Sequence, residues 1–441
     1  MYPGSLLGLA PAFTHELIAG ACPGIFITQI AQMYAYPIRS VSPPEPAVGA
    51  RDAMPSEPPC KRRRVAAPAA GSPEDGCREE PGQNGSVAGV SPKTLKVVED
   101  FCGLGTAFIA ATRICKQVHR FTAESTYGCD KSRVCKKLCQ HNHQTKRFDN
   151  DVVTRDVATM QQGDIYAFSA PCTSFSPLGT HEGMDNDTGA LLFVPLRYIG
   201  VHRPAIVMSE NSPLLAGKFK GVADTIVKWI QDRGYVVKTA ILNTMDFGIP
   251  HRRKRWYLLA VRSDIVRLNT CGVPWFPAPL SYMVPLDAII RPLPRADWRP
   301  HPVESGGKTE KLYYNNVMTQ YEACCAKSID PFKKPVIVDM AATPGFSYHS
   351  IDVAPTLTRN RTGHIGYWCS TKGGPLDHQD FAHLQGFEDS DIDHINAGVS
   401  VSQLAACYGN STSVNVVVRV LAHGLYMGKY IQKCELEALT I

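Results

Sequence analysis

Short apolar runs alternate with helix-period segments along the chain from Thr94 onward. Five runs have the length and continuous apolar character of buried strands, namely residues 95–100, 164–170, 205–210, 236–242 and 256–262. Apolar positions recur at helical spacing in three segments between them, at 106–118, 131–143 and 219–233. This alternation predicts an α/β fold with a mostly parallel, doubly wound sheet and helices on both faces. Ligands of such sheets bind at the carboxyl ends of the strands.

The pattern fails in two regions. Residues 41–92 hold ten Pro and six Gly but no Phe, Trp, Tyr, Leu or Ile, so we predict a disordered linker. Eight prolines lie between Pro274 and Pro302, which indicates a small irregular module. The predicted organisation is an N-terminal tail and linker at 1–92, a core at 93–264, a small module at 265–350 and a C-terminal part at 351–441 that returns to the core.

The charge adds one constraint on partners. The chain has 46 Lys and Arg against 40 Asp and Glu, a net charge of +6. Residues 1–92 carry seven against eight, so the remainder carries 39 against 32, a net +7. This basic surplus is compatible with a polyanionic partner but does not require one.

The N-terminal residues do not resemble a targeting or membrane segment. Residues 1–38 contain no Lys or Arg, so the charged start of a secretory signal is missing. The most apolar stretch, 17–38, is interrupted by Pro23, Gln29 and Gln32, and we expect no membrane span. We therefore expect a soluble intracellular protein whose 15 cysteines remain reduced.

A basic run lies inside the linker, at Lys61-Arg62-Arg63-Arg64. Four exposed cations on an extended segment suit the acidic groove of a nuclear import receptor. This predicts a nuclear location, with a solvated charge cluster as the alternative.

A glycine-containing loop follows the first predicted strand. Its residues are Phe101-Cys102-Gly103-Leu104-Gly105. Two glycines spaced in this way let the backbone pass close to a nucleotide-like ligand before a helix begins. The same spacing also occurs where a strand and a helix merely pack tightly.

Side chains suited to catalysis lie at the ends of three further predicted strands. Cys172 comes directly after 164–170, where the nucleophiles of open α/β enzymes lie. Glu210 ends 205–210 and is a candidate acid, while Arg253 and Arg255 precede 256–262. Taken singly, these residues have structural explanations as a buried thiol, a cap neighbour and a solvated basic face.

Together, in this order, the motifs between about residues 94 and 425 resemble the cytosine-5 DNA methyltransferase family. The resemblance rests on the glycine loop, on Pro171-Cys172 with Phe175-Ser176, and on Asp187-Thr188-Gly189-Ala190-Leu191-Leu192-Phe193. It continues through Glu210-Asn211, Asp246-Phe247-Gly248-Ile249-Pro250 with Arg253 and Arg255, Leu384-Gln385-Gly386-Phe387, Tyr408-Gly409-Asn410-Ser411 and Val414-Asn415-Val416.

The resemblance implies a Rossmann-like class I methyltransferase fold with a small target-recognition module. It also implies S-adenosylmethionine as cofactor and DNA with a flipped-out cytosine as substrate. Cys172 would add to C6 of the base, Glu210 would hold or donate a proton at N3, and Arg253 and Arg255 would fix O2 and brace the nucleophile loop.

Cofactor contacts are implied in the same way. Seven residues match positions that bind the cofactor: Phe101, Gly103, Leu104, Gly105, Asp130, Asp156 and Asn410. Phe101 would lie on the adenine, and Asp156 would accept from its amino group. Asp130 is our choice for the ribose-binding acid, because Gly128-Cys129 stand where that acid is expected; Glu124 is the alternative.

Some positions depart from the family pattern. Thr173 replaces a usual Gln, Ser212 follows Asn211 where Val is common, and His251 also replaces Gln. Cys135, Cys139, His141 and His143 lack a common zinc spacing, so we expect no metal.

Two other functions remain open. A tRNA cytosine-5 methyltransferase would use the same machinery, but the Cys-Phe-Thr signature of that branch is missing from the variable region. A catalytically silent nucleic-acid-binding homologue is disfavoured by the intact catalytic set. The variable region adds Arg291, Arg295 and Arg299, a basic edge suited to phosphates.

Overall fold

A seven-stranded sheet lies at the centre of the chain. A computed structural model describes residues 92–172, 187–304 and 306–439. The predicted tail and linker, the basic run at 61–64 and most of the loop after Cys172 lie outside these residues. The strands of the sheet are β1 (Lys93–Asp100), β2 (Phe121–Cys129), β3 (Arg147–Asp149), β4 (Ile165–Phe168), β5 (Ile206–Asn211), β6 (Tyr235–Asn243) and β7 (Lys254–Arg262).

The strand order is β3-β2-β1-β4-β5-β7-β6. Strands β1 to β5 are parallel, and β7 runs antiparallel to both of its neighbours. The chain order reverses between β1 and β4, so a ligand site is expected at their carboxyl ends. The predicted doubly wound, mostly parallel α/β fold is confirmed.

Helices cover both faces of this sheet. In chain order the helices of the described residues are α1 (Thr106–Val118), α2 (Arg133–Asn142), α3 (Asp187–Ala190), α4 (Leu196–His202), α5 (Lys220–Gln231), α6 (Leu286–Ile289), α7 (Lys308–Cys325), α8 (Arg359–Thr362), α9 (His378–Leu384), α10 (Val401–Asn410), α11 (Val414–Met427) and α12 (Lys433–Leu439). One apolar core joins α1, α11 and α12 to the sheet, and a second joins α4 and α5 to its other face. The end of the chain thus packs beside its first strand.

A second, four-stranded sheet follows the irregular region. It is fully antiparallel, has the order β11-β10-β8-β9, and consists of β8 (Val336–Asp339), β9 (His349–Ile351), β10 (Tyr367–Cys369) and β11 (Gly374–Pro375). Helix α7 packs on it through Val317, Tyr321 and Cys324. The predicted module boundary at residue 350 falls inside β9, and the small sheet continues beyond it, since β8 also pairs with β10.

The polar strand β2 was not found from hydrophobic patterning, since its sequence is FTAESTYGC. Its buried hydroxyls are satisfied locally: Ser125 Oγ and Thr145 Oγ1 lie 2.9 Å apart, and Thr126 Oγ1 donates to the Val97 carbonyl at 3.1 Å. A polar strand can lie inside a sheet when each buried group has a hydrogen-bond partner. By contrast, the five predicted strands and three predicted helices are all present, with bounds shifted by up to two residues.

Two adjacent acids fix the end of β1. Asp100 forms a fully buried ion pair with Arg155 and accepts a hydrogen bond from the Tyr166 hydroxyl. Glu99 accepts from the backbone N–H of Ala107 at 2.9 Å, in the first turn of α1. Because side chains alternate along a strand, the two acids anchor the strand end on opposite faces.

Three general findings concern the described residues. None of their helices is both long enough and apolar enough to cross a membrane. None of their His, Cys, Asp and Glu side chains form a group of three that could hold a metal ion. Every cysteine in these ranges is a free thiol.

Candidate active site

The predicted nucleophile lies just beyond the carboxyl end of β4. Cys172 is half-buried. Asn211 holds the backbone before it, because its Nδ2 donates to the Ala170 carbonyl at 3.0 Å. The Oδ1 of the same amide accepts from the Ser212 N–H at 2.8 Å. Asn211 therefore positions the chain two residues ahead of Cys172, a role that the sequence motif alone did not assign.

Glu210 and the two predicted catalytic arginines share one face of the sheet. Glu210 stands opposite Tyr257 in the antiparallel register of β5 and β7. Residues two and four positions before Tyr257 point to the same face, because side chains alternate along the chain. Arg255 Nε accordingly lies 3.0 Å from Glu210 Oε1, and Arg253 Nη2 lies 4.0 Å from it.

Arg253 is buried and hydrogen-bonded to distant backbone through both terminal nitrogens. Its Nη2 donates to the Ser411 carbonyl at 2.8 Å, and its Nη1 donates to the Leu357 carbonyl at 3.4 Å. Burial, reinforced by the neighbouring Arg255 charge, lowers the pKa of Arg253 to about 10, while Glu210 opposes the shift. Arg253 thus remains a cation at neutral pH and is held in one orientation.

The remaining oxygen of Glu210 meets the C-terminal part of the chain. Thr412 Oγ1 donates to Glu210 Oε2 at 3.4 Å. Among the described residues, Glu210 Oε1 is buried with no aligned hydrogen-bond donor, although the Arg255 charge is adjacent. Two arginine cations therefore face this buried oxygen. The sequence analysis missed Thr412, since one hydroxyl next to a motif carries no distinguishing local signal.

His251, one of the departures from the family pattern, is fully buried. Its Nε2 accepts from the Leu357 N–H at 3.2 Å, and its backbone forms a parallel bridge with Ala354. Burial, followed by the charges of Arg253 and Arg255, holds the pKa of His251 well below its usual range. A neutral His251 therefore ties the arginine segment to the loop before α8.

Phe101 opens the predicted cofactor loop in a strained conformation. Its φ is 51°, in the left-handed region that bulky residues rarely adopt. The cost is about 1–2 kcal/mol, and such strain persists mainly at functional sites. The ring is half-buried at the carboxyl end of β1, beside the point where the strand order reverses.

The two loop glycines have different neighbours. A Cβ added to Gly103 would meet no atom within 4 Å, so the backbone there borders open space. A Cβ on Gly105 would lie 2.6 Å from His143 Cδ2, and His143 Nε2 bonds to the Leu104 carbonyl at 2.8 Å. Gly103 is thus the glycine open to a ligand, whereas Gly105 accommodates His143. Leu104 as a whole is buried, and its carbonyl is already bonded to His143, so its cofactor contact stays a prediction.

Asp130 braces the same loop. Its Oδ2 accepts from the Gly103 N–H at 3.0 Å, and its Oδ1 accepts from the Ser132 N–H at 2.8 Å. Each carboxylate oxygen has a second acceptor position, so the ribose role stays a prediction. Glu124 stands opposite Lys96, nearer the start of β2, and pairs with Lys146. It lies away from the strand ends where the other predicted residues meet.

Asp156 and Asn410 lie at the margins of this region. Asp156 is exposed and accepts from the Ala158 N–H at 3.0 Å, which caps a short 3₁₀ helix. Its neighbour Arg155 is tied to Asp100, so Asp156 is held near the end of β1. Asn410 is exposed at the last position of α10. The structure shows no direct contact between either side chain and the glycine loop.

The comparison with protein families agrees with this arrangement. The sequence profile of the C-5 cytosine-specific DNA methylase family matches residues 95–423. The chain belongs to this family. It is therefore, by family, a cytosine-5 DNA methyltransferase.

Named relatives cover most of this methyltransferase. It is 25% identical over 331 residues to the type II methyltransferase M.HhaI of Haemophilus parahaemolyticus, across 73% of this chain and 92% of the relative. It is 26% identical over 294 residues to M.Bsp6I of Bacillus sp. (strain RFL6), across 65% and 86%. Among solved structures, the Entamoeba histolytica methyltransferase EhMeth matches with a TM-score of 0.53 at 15% identity. That likeness covers 76% of this methyltransferase and 98% of EhMeth, and it supports the fold.

From the raised pKa of Glu99 we predict that the stability of this methyltransferase depends on pH. Burial raises the pKa of Glu99 to about 7, although the N–H groups of Ala107 and Phe108 oppose the shift. Between pH 4.5 and 7 the folded state then binds more protons than the unfolded state. The Glu99 contribution to the free energy of unfolding should therefore fall as pH rises through this window, by at most about 1.4 kcal/mol per pH unit. Urea denaturation of wild type and Glu99→Gln at pH 5 and pH 8 measures this difference.

The matched control is Asp264, whose pKa is shifted in the opposite direction. A hydrogen bond from Arg262 holds the pKa of Asp264 below its usual value, so its contribution is lost as pH falls. Relative to wild type, Glu99→Gln should gain stability between pH 5 and pH 8, whereas Asp264→Asn should not. Equal pH profiles for wild type and Glu99→Gln would contradict the assignment.

Proposed function

We propose that the chain transfers a methyl group from S-adenosylmethionine to C5 of a flipped cytosine in DNA, through a covalent adduct on Cys172. The observation that carries this proposal is the shared face of Glu210, Arg253 and Arg255, next to the strand end that bears Cys172. Nucleophile, acid and fixed cations are then supplied by three neighbouring strands.

The first step makes the cytosine reactive. The Cys172 sulfur adds to C6, which forms a C–S bond and moves the electron pair of the C5–C6 bond to C5, conjugated with N3. Glu210 receives the base at N3 and supplies or shares a proton there, which disperses the developing negative charge.

The arginines act by position. Arg253, held by the Ser411 and Leu357 carbonyls, presents a fixed cation beside Glu210, and Arg255 approaches the same carboxylate oxygen. Forked guanidinium donors suit the O2 of the base and the backbone of the nucleophile loop. After the methyl group joins C5, water takes the C5 proton, and the electron pair of that C–H bond re-forms the C5–C6 double bond and expels Cys172 as a thiolate. The proton shared at N3 returns to Glu210.

The glycine loop fits the proposed cofactor. The cofactor supplies an electrophilic methyl group on a sulfonium. Gly103 borders open space, and Phe101 offers an aromatic ring at the adjoining strand end. Gly103 would hold the methionine end, Asp130 the ribose and Asp156 the adenine amino group. Asn410 would approach from the end of α10.

Cys172 as nucleophile gives a direct prediction. Wild type should form a covalent adduct with an oligonucleotide containing 5-fluorocytosine, because fluorine at C5 blocks the elimination that frees Cys172. Cys172→Ala should lose the adduct and at least 10³-fold in turnover, since the covalent route is closed, while it keeps cofactor affinity. Denaturing gels and calorimetry measure the two properties. Cys271→Ala is the matched control and should behave as wild type. An adduct that persists in Cys172→Ala would refute the mechanism.

The substrate preference gives a second prediction. Arg291, Arg295 and Arg299 are exposed in the irregular region, where they can neutralise phosphates. Binding of duplex DNA should weaken with salt by a log–log slope of about −0.9 per phosphate contact. Unpaired or mismatched cytosines should be methylated faster, because flipping them costs less. Filter binding and bisulfite sequencing of DNA and tRNA test both points.

A charge-matched pair of variants isolates the basic edge. The double variant Arg291→Glu, Arg295→Glu should weaken DNA binding about tenfold. Its log–log salt slope should also become less steep, by the amount expected for the loss of about two phosphate contacts. Lys220→Glu with Lys228→Glu makes the same change of charge on exposed α5 and should have little effect. Efficient methylation of tRNA, with none of duplex DNA, would replace the DNA assignment by the tRNA alternative. Methyl transfer to either nucleic acid excludes a silent homologue.

We also propose that the basic run at 61–64 binds a nuclear import receptor, which would make chromosomal DNA the substrate and give the enzyme an epigenetic role. Four consecutive cations in a Pro- and Gly-rich segment support this proposal. Replacing Lys61, Arg62, Arg63 and Arg64 by Ala should move a tagged protein out of the nucleus, as seen by fluorescence microscopy. Unchanged nuclear enrichment would refute the import role.

A further inference from the structure

Two pairs of thiols join helix α2 to the proposed cofactor site. Cys135 and Cys139 lie one turn apart on α2. The Sγ atoms of Cys139 and Cys102 are 4.0 Å apart, and those of Cys135 and Cys407 are 3.9 Å apart. Cys102 belongs to the glycine loop, and Cys407 lies on α10, three residues before Asn410. Helix α2 therefore contacts both segments that should hold the cofactor.

The two pairs differ in exposure. Cys102 and Cys139 are both buried, with 8% and 2% of their surface exposed. Cys407 is only half-buried, whereas its partner Cys135 is 6% exposed. A small solute can reach the second pair through Cys407, but the first pair is shielded by the protein.

The electrostatic surroundings of the two pairs also favour Cys407 over Cys102 as the reactive thiol. The Cys135 hydrogen bond and, after it, the Arg359 cation hold the pKa of Cys407 below its usual value, although burial and Asp130 oppose them. The Cys139 contact and burial raise the pKa of Cys102 well above its usual range. Since the thiolate is the reactive form of cysteine, Cys407 is the reactive member of these pairs.

We propose that Cys135 and Cys407 form an oxidative modification site, which takes hydrogen peroxide or a similarly small peroxide and closes a disulfide between α2 and α10. The Cys407 thiolate attacks one peroxide oxygen, which breaks the O–O bond and gives a sulfenic acid and hydroxide. The Cys135 sulfur then attacks the sulfenic sulfur, loses its proton and expels a second hydroxide. Overall, two thiols and one peroxide give one disulfide and two waters; each sulfur loses one electron, and the peroxide gains two.

Closing this bond requires movement at the cofactor site. A disulfide has an S–S length of about 2.05 Å, so the present separation of 3.9 Å must shrink. The start of α2 is capped by Ser132, whose N–H binds Asp130, and Asp130 in turn holds the Gly103 N–H. The end of α10 leads into Ser411, whose carbonyl holds Arg253. Oxidation should therefore weaken cofactor binding. This consequence rests on the proposed function, whereas the formation of the disulfide is independent of it.

The first test maps the bond in the full-length protein. The protein is treated with hydrogen peroxide, unreacted thiols are alkylated under denaturing conditions, and the digest is analysed by mass spectrometry. A Cys135–Cys407 cross-linked peptide should appear, and dithiothreitol should remove it. At the same peroxide dose, Cys102 and Cys139 should be recovered as alkylated thiols. Cys407→Ser should abolish the cross-link, and the matched control Cys139→Ser should retain it. Cys135→Ser, which should leave Cys407 as an unresolved sulfenic acid, serves if Cys407→Ser fails to fold.

The second test measures S-adenosylmethionine affinity by calorimetry in a Cys172→Ala background, so that oxidation of the nucleophile does not contribute. Peroxide should weaken binding at least tenfold, dithiothreitol should restore it, and Cys407→Ser should be insensitive.

The absence of a Cys135–Cys407 cross-link, or closure of Cys102–Cys139 at a lower peroxide dose, would overturn the proposal. A cross-link with affinity unchanged within twofold would refute the effect on the cofactor. If the reduced protein fails to bind S-adenosylmethionine at all, the proposed function is wrong, and peptide mapping alone decides the thiol site.

Discussion

The buried guanidinium of Arg253 is the constraint on which the catalytic edge depends. A buried cation is tolerated only when it is paired and hydrogen-bonded, because removing it from water costs several kcal/mol. Arg253 meets this requirement with the carbonyls of Leu357 and Ser411, which lie 104 and 158 residues further along the chain. The segment before α8 and the segment after α10 are therefore both drawn to the sheet edge that carries Glu210.

A polar network extends this constraint and keeps the edge rigid. Gln385 Nε2 donates to the Tyr408 carbonyl at 2.9 Å, while its Oε1 accepts from Ser413 Oγ at 2.8 Å. Thr244 Oγ1 in turn donates to Ser413 Oγ at 2.8 Å. Three parts of the chain thereby fix the loop from which Thr412 reaches Glu210. Fully satisfied buried networks of this kind specify one geometry, which is what a reaction on a precisely placed base requires.

The cofactor end is fixed in a different way, through the two acids that close β1. Glu99 binds the first turn of α1, and Asp100 is paired with Arg155 on the other face. With the strand end anchored on both sides, the backbone of Phe101 can be held at a positive φ. The thiol pairs of α2 lie next to this loop, and one of them includes Cys407, the thiol that we propose to be reactive.

The sequence by itself determined five strands and three helices of the core and the order of the family motifs, because apolar periodicity and short motifs are local properties. It placed Cys172 and Glu210 at the carboxyl edge of the sheet, whereas the antiparallel direction of β7, which brings Arg255 to the same edge beside Glu210, was decided by the tertiary structure. Only the tertiary structure decided the polar strand β2, the small sheet that runs to Pro375, the contact of Thr412 with Glu210 and the pairing of Cys135 with Cys407. Each of these depends on partners distant in the chain, and a local pattern records that a side chain is buried or polar but not which distant group will satisfy it.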